Sequence, residues 1–249
     1  MKPRCRQVRN KRACFHVYIV YISCYMVQPT KINILFVQTL SELPLTILMR
    51  HGQADNNVNR ILVGRYIESH LTEYGKMQAA DTAMYLKSIS IKKVYTSPVI
   101  RTVETAKIVC RILELDYEVD ERLYEIELGK LVGMNFEEIV EKFGNLFLKF
   151  YNENDSSLTT YGVESFYSVK SRIKNLLDEV MENHPDENVL LITHLDPIKA
   201  AISTLLDLNP RSLYNWHIHN ASLTILRRQS NIYSLGGVNV MGMDRYIED

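Results

Sequence analysis

Two histidines in this chain stand in the same local context. His51 follows the apolar run Leu45–Met49 with only Arg50 between, and His194 directly follows Val189-Leu190-Leu191-Ile192-Thr193. Short apolar runs of this kind fit buried strands, although periodicity alone does not distinguish them from buried helix. In an open α/β sheet, ligands bind outside the carboxyl ends of the strands. Two imidazoles at two such ends therefore face one crevice, where imidazole serves as nucleophile or proton carrier. Arg50 and Arg101 add positive charge there. Arg101 falls in the first turn of an expected helix, where free N–H groups and the helix dipole already favour an anion. A lone histidine after a strand is usually a loop residue and a lone arginine a solvated charge, so the weight rests on the combination. His16, His70, His184, His217 and His219 show no ligand spacing. His217 and His219 are two apart, as on one face of a strand, but without a carboxylate or cysteine partner a structural role is expected and no metal site.

The elements that must position these residues read as alternating strands and helices. Thr72 caps an expected helix running to Lys87, and Lys93–Thr96 reads as a short strand. Pro98 suits the first position of a helix whose stripe of Val99, Val103, Ala106, Cys110 and Leu113 faces the core. Val169, Ile173, Leu176, Leu177 and Val180 mark a long amphipathic helix, and Asp196-Pro197 the cap and first turn of the next. Residues 221–226 and 232–235 complete the strands, with Gly236-Gly237 ending the order. This alternation predicts an α/β fold with a mostly parallel sheet covered on both faces. No P-loop is present, because Tyr124 stands where the glycine upstream of Gly129-Lys130 is required.

Composition narrows the function classes. The 249 residues carry equal numbers of basic and acidic side chains, unevenly distributed. Residues 1–44 hold seven basic side chains against Glu42, a balance of +6, which leaves −6 on residues 45–249. An acidic body is a poor nucleic-acid binder, so any anion site is a local basic pocket. Cys5, Cys14 and Cys24 lie in the leader and Cys110 alone in the body, which therefore forms no internal disulfide. That pattern fits a reducing, cytoplasmic compartment. The apolar stretch 15–27 is too short for a membrane span, for which ~20 apolar residues are needed, and no clear cleavage site follows it. Residues 1–44 read as a weak anchor, a targeting segment or translated sequence upstream of the true start, the last being favoured.

Taken together, the motifs resemble those of the histidine phosphatase superfamily, the phosphoglycerate-mutase-like proteins. Arg50-His51-Gly52 with Asn57 resembles the family's signature. Gly64, Leu71-Thr72-Glu73, Gly75 and Gln78-Ala79 resemble the next block. Thr96-Ser97-Pro98 with Arg101-Thr102 and Glu104-Thr105-Ala106 resembles the segment bearing the second phosphate-binding arginine. Leu123-Tyr124-Glu125 with Gly129 and Gly133 resembles the acid-bearing block. Gly162-Val163-Glu164-Ser165, Ile192-Thr193-His194 and Asn220-Ala221-Ser222 resemble the remaining segments, from about Leu45 to about Leu226. Leu195, Ala54, Glu68 and His70 depart from common family residues, which bears on substrate choice more than on chemistry.

The resemblance implies a three-layer α/β/α domain over 45–249, with residues 1–44 outside it. It implies a phosphohydrolase acting on a small phosphorylated metabolite, metal-independent and without a cofactor. His51 would be the nucleophile, Glu125 the general acid and base, and Arg50, Asn57, Arg101 and His194 the phosphate-binding groups, His194 also counting as catalytic. The alternative is a phosphoglycerate mutase, which would use 2,3-bisphosphoglycerate. The family's true mutases tend to carry a longer segment with paired arginines where this chain has residues 134–162. Here that segment contains Lys142 and Lys149, no arginine, and Phe136, Phe143, Phe147, Phe150 and Tyr151. Phe143, Phe147 and Phe150 at helical spacing would wall the pocket or pack in the core.

Overall fold

The computed structural model describes residues 43–152 and 157–242; the leader reading of residues 1–44 lies outside the described residues apart from its last two. The strands are β1 (Leu45–Arg50), β2 (Ile91–Thr96), β3 (Glu118–Val119), β4 (Asn188–Thr193), β5 (Leu223–Gln229) and β6 (Ile232–Val240). The helices are α1 (Asp55–Asn59), α2 (Glu73–Leu86), α3 (Ile100–Leu113), α4 (Phe136–Phe143), α5 (Leu146–Phe150), α6 (Phe166–Asn183) and α7 (Leu195–Leu206). One sheet of order β3-β2-β4-β1-β5-β6 results. β3, β2, β4 and β1 are mutually parallel, while β5 and β6 add an antiparallel edge.

Period-2 alternation sorts the strand side chains into two cores. Ile47, Met49, Leu190 and Ile192 join Ala79, Ala83 and Leu86 of α2 and Ala106, Val109 and Cys110 of α3 on one face. Leu48, Val189 and Leu191 point the other way, into a cluster with Val169, Ile173 and Leu176 of α6 and Ala201 of α7. The sheet is therefore the middle of three layers, and its central strands are apolar on both faces, as parallel strands are. On α6 the expected stripe is buried together with Phe166; each such side chain contributes about 1.5–3 kcal/mol. The helix's last turn ends against Arg228 of β5, only 2% exposed, whose Nη1 donates to the carbonyls of Val180 and His184. A cation there satisfies orphan carbonyls and opposes the negative end of the dipole.

Several boundaries differ from the expectation. β2 begins at Ile91, two residues early. Pro98 is not the first helical residue: Val99 is the extended N-cap (ψ 138°) and α3 starts at Ile100, which still leaves Arg101 in the first turn. Asp196-Pro197 does not cap α7. His194 is its N-cap, with extended φ and ψ, placing Asp196 inside the first turn. β5 starts at Leu223 because Ala221 takes a left-handed φ of 50°. β6 runs through Gly236-Gly237 to Val240, since Ile225 pairs with Gly237 across the edge. Phe143, Phe147 and Phe150 do not share a helix. Gly144 ends α4 at φ 69°, and Asn145 caps the separate α5 through Leu148 N–H. His217 and His219 lie in the irregular segment before β5, with ring centroids 4.3 Å apart.

One close approach fixes the loop after β1. A Cβ on Gly75 would come within 1.9 Å of the Gln53 carbonyl oxygen, and one on Gly52 within 2.3 Å of the Gly75 oxygen. Two backbones thus meet where no side chain fits, beside His51. Gly75→Ala is expected to cost about 1–3 kcal/mol of stability by overpacking, read as a lowered Tm in thermal unfolding. A Tm equal to that of the unaltered protein would show that the loop gives way.

Candidate active site

Register places the two histidines. β1 and β4 are parallel neighbours with Arg50 opposite Thr193, so the next residue on each strand, His51 and His194, leaves the sheet at the same level. Their rings lie 5.2 Å apart at 64°. His51 N–H donates to the Thr193 carbonyl at 3.0 Å, while Ala221 N–H and Asn220 Nδ2 donate to the His51 carbonyl at 3.0 and 3.1 Å. The strained Ala221 backbone is held in turn by Thr82 Oγ1, which donates to its carbonyl at 2.7 Å. The His51 backbone is thus clamped from three strands' ends.

Two hydrogen bonds select one tautomer. His51 Nδ1 lies 2.7 Å from the Gly52 carbonyl oxygen, which only accepts, so Nδ1 carries the proton. Arg101 Nε, which only donates, lies 3.2 Å from His51 Nε2. Nε2 therefore presents its lone pair. Burial, then the positive charges of Arg101 and Arg50, hold the His51 pKa well below 6.5, against the opposing Gly52 bond, so the ring is neutral near neutral pH.

Arg101 is 2% exposed. Its Nη2 donates to the Gly64 carbonyl at 3.1 Å, but Nη1 is buried with no acceptor. Burial lowers its pKa to about 10, which leaves it cationic at neutral pH. A buried guanidinium with an empty donor costs stability unless a ligand supplies the acceptor. Arg50 reaches the Ile218 carbonyl through Nη1. Asn57 Oδ1 accepts from Ala54 N–H at 2.9 Å and from Asn220 Nδ2 at 3.3 Å, which leaves its NH₂ as the donor end.

Glu125 comes from the loop after the 3-10 turn Glu121–Leu123. Its backbone carbonyl accepts from Arg65 Nε at 2.7 Å, and Arg65 is tied to Glu164, itself paired with Arg172. Burial, then the nearby Asp196 carboxylate, raises the Glu125 pKa to about 7, against Arg101, the Ile126 N–H and Arg50. Its Oε2 lies 3.9 Å from His194 Nδ1. His194 is fully buried and held neutral, chiefly by burial and then by Arg101 and His51. Its Nε2 lies 2.9 Å from Ser97 Oγ, a hydroxyl able to donate to it or accept from it. The His194 Nδ1 has no hydrogen-bond partner.

Arg50, His51, Asn57, Arg101 and Glu125 all line one cavity of about 670 Å³. His194 does not line it but stands behind, against His51. The segment between 136 and 158 supplies Phe136, Leu146, Phe147, Phe150, Tyr151 and Leu158 to the wall, so Phe147 and Phe150 wall the pocket while Phe143 does not. Among the described residues, no three His, Cys, Asp or Glu side chains form a group able to hold a metal ion, and no helix is long and apolar enough to cross a membrane.

Among the charged wall residues, sequence reasoning missed Arg60 and, on α7, Asp196 and Lys199. For Asp196 and Lys199 the signal was there: they are the two charges in the otherwise largely apolar α7, three apart and hence on one face.

Known proteins share the motifs and the fold that hold this site. Residues 46–240 match the histidine phosphatase superfamily (branch 1). A 2,3-bisphosphoglycerate-dependent phosphoglycerate mutase of Thermoplasma acidophilum is 34% identical over 199 residues, covering 79% of this chain and 94% of that one. Phosphoserine phosphatase 1 of Hydrogenobacter thermophilus is 31% identical over 186 residues, covering 74% and 86%. The solved phosphoserine phosphatase of Entamoeba histolytica, in complex with 3-phosphoglyceric acid, matches with a TM-score of 0.71 over 80% of this chain and 98% of that one. At 23% identity, that likeness concerns the fold.

Proposed function

The chain belongs to the histidine phosphatase superfamily, and on that premise we propose that it is a phosphohydrolase that passes a phosphoryl group from a small monoester to His51 and then to water. The observation that carries this reading is the facing of a tautomer-fixed, neutral His51 Nε2 and the empty, buried Nη1 of Arg101 in one cavity. Nucleophile and charge stabiliser are in place before substrate arrives, which is most of what phosphoryl transfer asks of a protein.

In the first step the Nε2 lone pair attacks phosphorus and the ester P–O bond breaks. Glu125, protonated by virtue of its raised pKa, gives its proton to the leaving alkoxide. Arg50, Arg101 and the Asn57 amide stabilise the phosphoryl oxygens as charge builds, while His194 packs edge-on against the His51 ring. In the second step the Glu125 carboxylate takes a proton from water, whose oxygen attacks phosphorus while the N–P bond breaks and returns the lone pair to His51. The His51 Nδ1 proton stays on Nδ1, donated to the Gly52 carbonyl throughout, keeping the tautomer. No metal or organic cofactor enters this scheme.

The mutase reading uses the same residues and is favoured by the Thermoplasma relative. Against it, the described residues of the segment from 136 to 158 give the cavity apolar and aromatic side chains and no cation for the second phosphate of a bisphosphate. The test is phosphate release from a panel of monoesters without added metal. In parallel, conversion of 3- to 2-phosphoglycerate is followed with and without 2,3-bisphosphoglycerate. Rapid release with little isomerisation is expected; bisphosphate-dependent isomerisation with slow release would make the mutase reading correct.

Arg101→Ala is expected to lower kcat/KM roughly 10²–10³-fold, the effect of losing one preorganised donor to a developing anion. Steady-state kinetics over the same panel reads it, and an unchanged rate would remove Arg101 from the phosphoryl site.

A further inference from the structure

Besides Arg50 and Arg101 the cavity wall carries two cations that the phosphoryl chemistry does not use, Arg60, which is exposed and paired with Glu137, and Lys199, which is buried. Lys199 sits on α7, five residues beyond His194 and so about 7 Å further along the helix axis at 1.5 Å per residue. It is 3% exposed, yet it lines the cavity. Its Nζ makes a single long hydrogen bond, 3.5 Å to the Tyr214 carbonyl, and stands 4.8 Å over the Tyr151 ring. An ammonium has three protons to donate, and among the described residues no carboxylate pairs with this one. The nearest elements of its surroundings are nonetheless arranged for polarity. Asp196, one turn earlier on the same face, accepts from Tyr151 Oη at 2.5 Å, so its own charge is committed to the tyrosine. Burial lowers the Lys199 pKa, with Asp196 opposing. A buried, under-satisfied cation is costly unless a partner arrives, and the space that Lys199 borders is the cavity of the phosphoryl site.

We propose that Lys199 is a specificity-determining residue that binds a carboxylate of the substrate, so that the preferred esters are phosphorylated hydroxy acids. A carboxylate rather than a second phosphate fits, because a single ammonium balances one negative charge and not two, the Asp196 carboxylate being engaged by Tyr151. The proposal rests on the phosphohydrolase reading for its assay but not for the contact itself.

The test uses two pairs of esters that differ by the carboxylate: 3-phosphoglycerate against glycerol 3-phosphate, and phosphoserine against phosphoethanolamine. The unaltered protein is expected to favour the carboxylated member of at least one pair. Lys199→Met, whose apolar chain fits a buried site, is expected to lower that kcat/KM ratio roughly 10- to 100-fold, mainly through KM, and Lys199→Arg to retain part of it. Calorimetric binding of the same esters reads the contact without turnover. A binding preference abolished in Lys199→Met, in a protein that hydrolyses none of the four, would keep the lysine assignment and overturn the hydrolase reading. Equal handling of both members of both pairs by the unaltered protein, or a ratio unchanged in folded Lys199→Met, would overturn the assignment.

Discussion

Replacing His51 by alanine is expected to reduce turnover by roughly 10⁴–10⁶-fold, the scale on which nucleophile deletions act when a covalent route is lost. The expectation follows from what the ring does rather than from its position alone. Nδ1 is tied to the Gly52 carbonyl and Nε2 faces Arg101, so this ring holds its lone pair beside the buried guanidinium that stabilises the phosphoryl group. His194 cannot substitute: it stands behind His51, outside the cavity wall, with its Nε2 engaged by Ser97. The folded state of the variant is checked by its thermal transition, because a buried ring is being removed. Residual turnover within tenfold of the unaltered protein would mean that water attacks the ester directly and the histidine only binds.

Glu125→Gln is expected to cost about 10²–10⁴-fold in kcat for alkyl phosphates, the range for loss of a positioned general acid. With p-nitrophenyl phosphate the loss is expected to be much smaller, since that leaving group departs without a proton. The pH dependence carries the same signature. Burial and Asp196 raise the Glu125 pKa, so the protonated, proton-donating form persists to about neutrality and the first step slows as pH rises through that value. Burial and the two arginines lower the His51 pKa, so its neutral form persists below 6.5 and the acid limb falls lower still. The profile should therefore be a bell centred on mildly acidic pH, and Glu125→Gln should remove its basic limb. A basic limb that survives the substitution would belong to another group, and a uniform loss across both leaving groups would give Glu125 a binding role instead.

Much of this site is legible in the sequence because strand ends are. The apolar runs before His51 and His194 specify buried parallel strands, and their register brings the two rings within 5.2 Å. The amphipathic stripe of α6 and the Thr72 cap of α2 are equally local signals, and both hold. What was not legible depends on contacts distant in sequence. The tautomer of His51 is set by its own loop, which is shaped by the Gly52–Gly75 approach. The raised pKa of Glu125 comes first from burial and then from Asp196, 71 residues away in the chain, and its backbone is tied to the Arg65–Glu164–Arg172 ion pairs. The aromatic segment read as one helical face because its spacing is helical, but Gly144 divides it and turns Phe143 away from the cavity. Asp196 and Pro197 resembled a cap because both residue types favour helix starts, whereas His194 takes that position and frees Asp196 to face the cavity.

The measurement that bears most directly on the account is the trapping of the phosphoryl group on the protein. The enzyme is mixed with a phosphate monoester turned over in the release assay, quenched in alkali within milliseconds and digested, and the phosphopeptide is sequenced by mass spectrometry. The account predicts one acid-labile, alkali-stable phosphate on the peptide containing His51, formed and discharged at rates consistent with kcat, and absent from His51→Ala. Turnover that proceeds at full rate with no phosphate on that peptide, or with phosphate on a different residue, would contradict it.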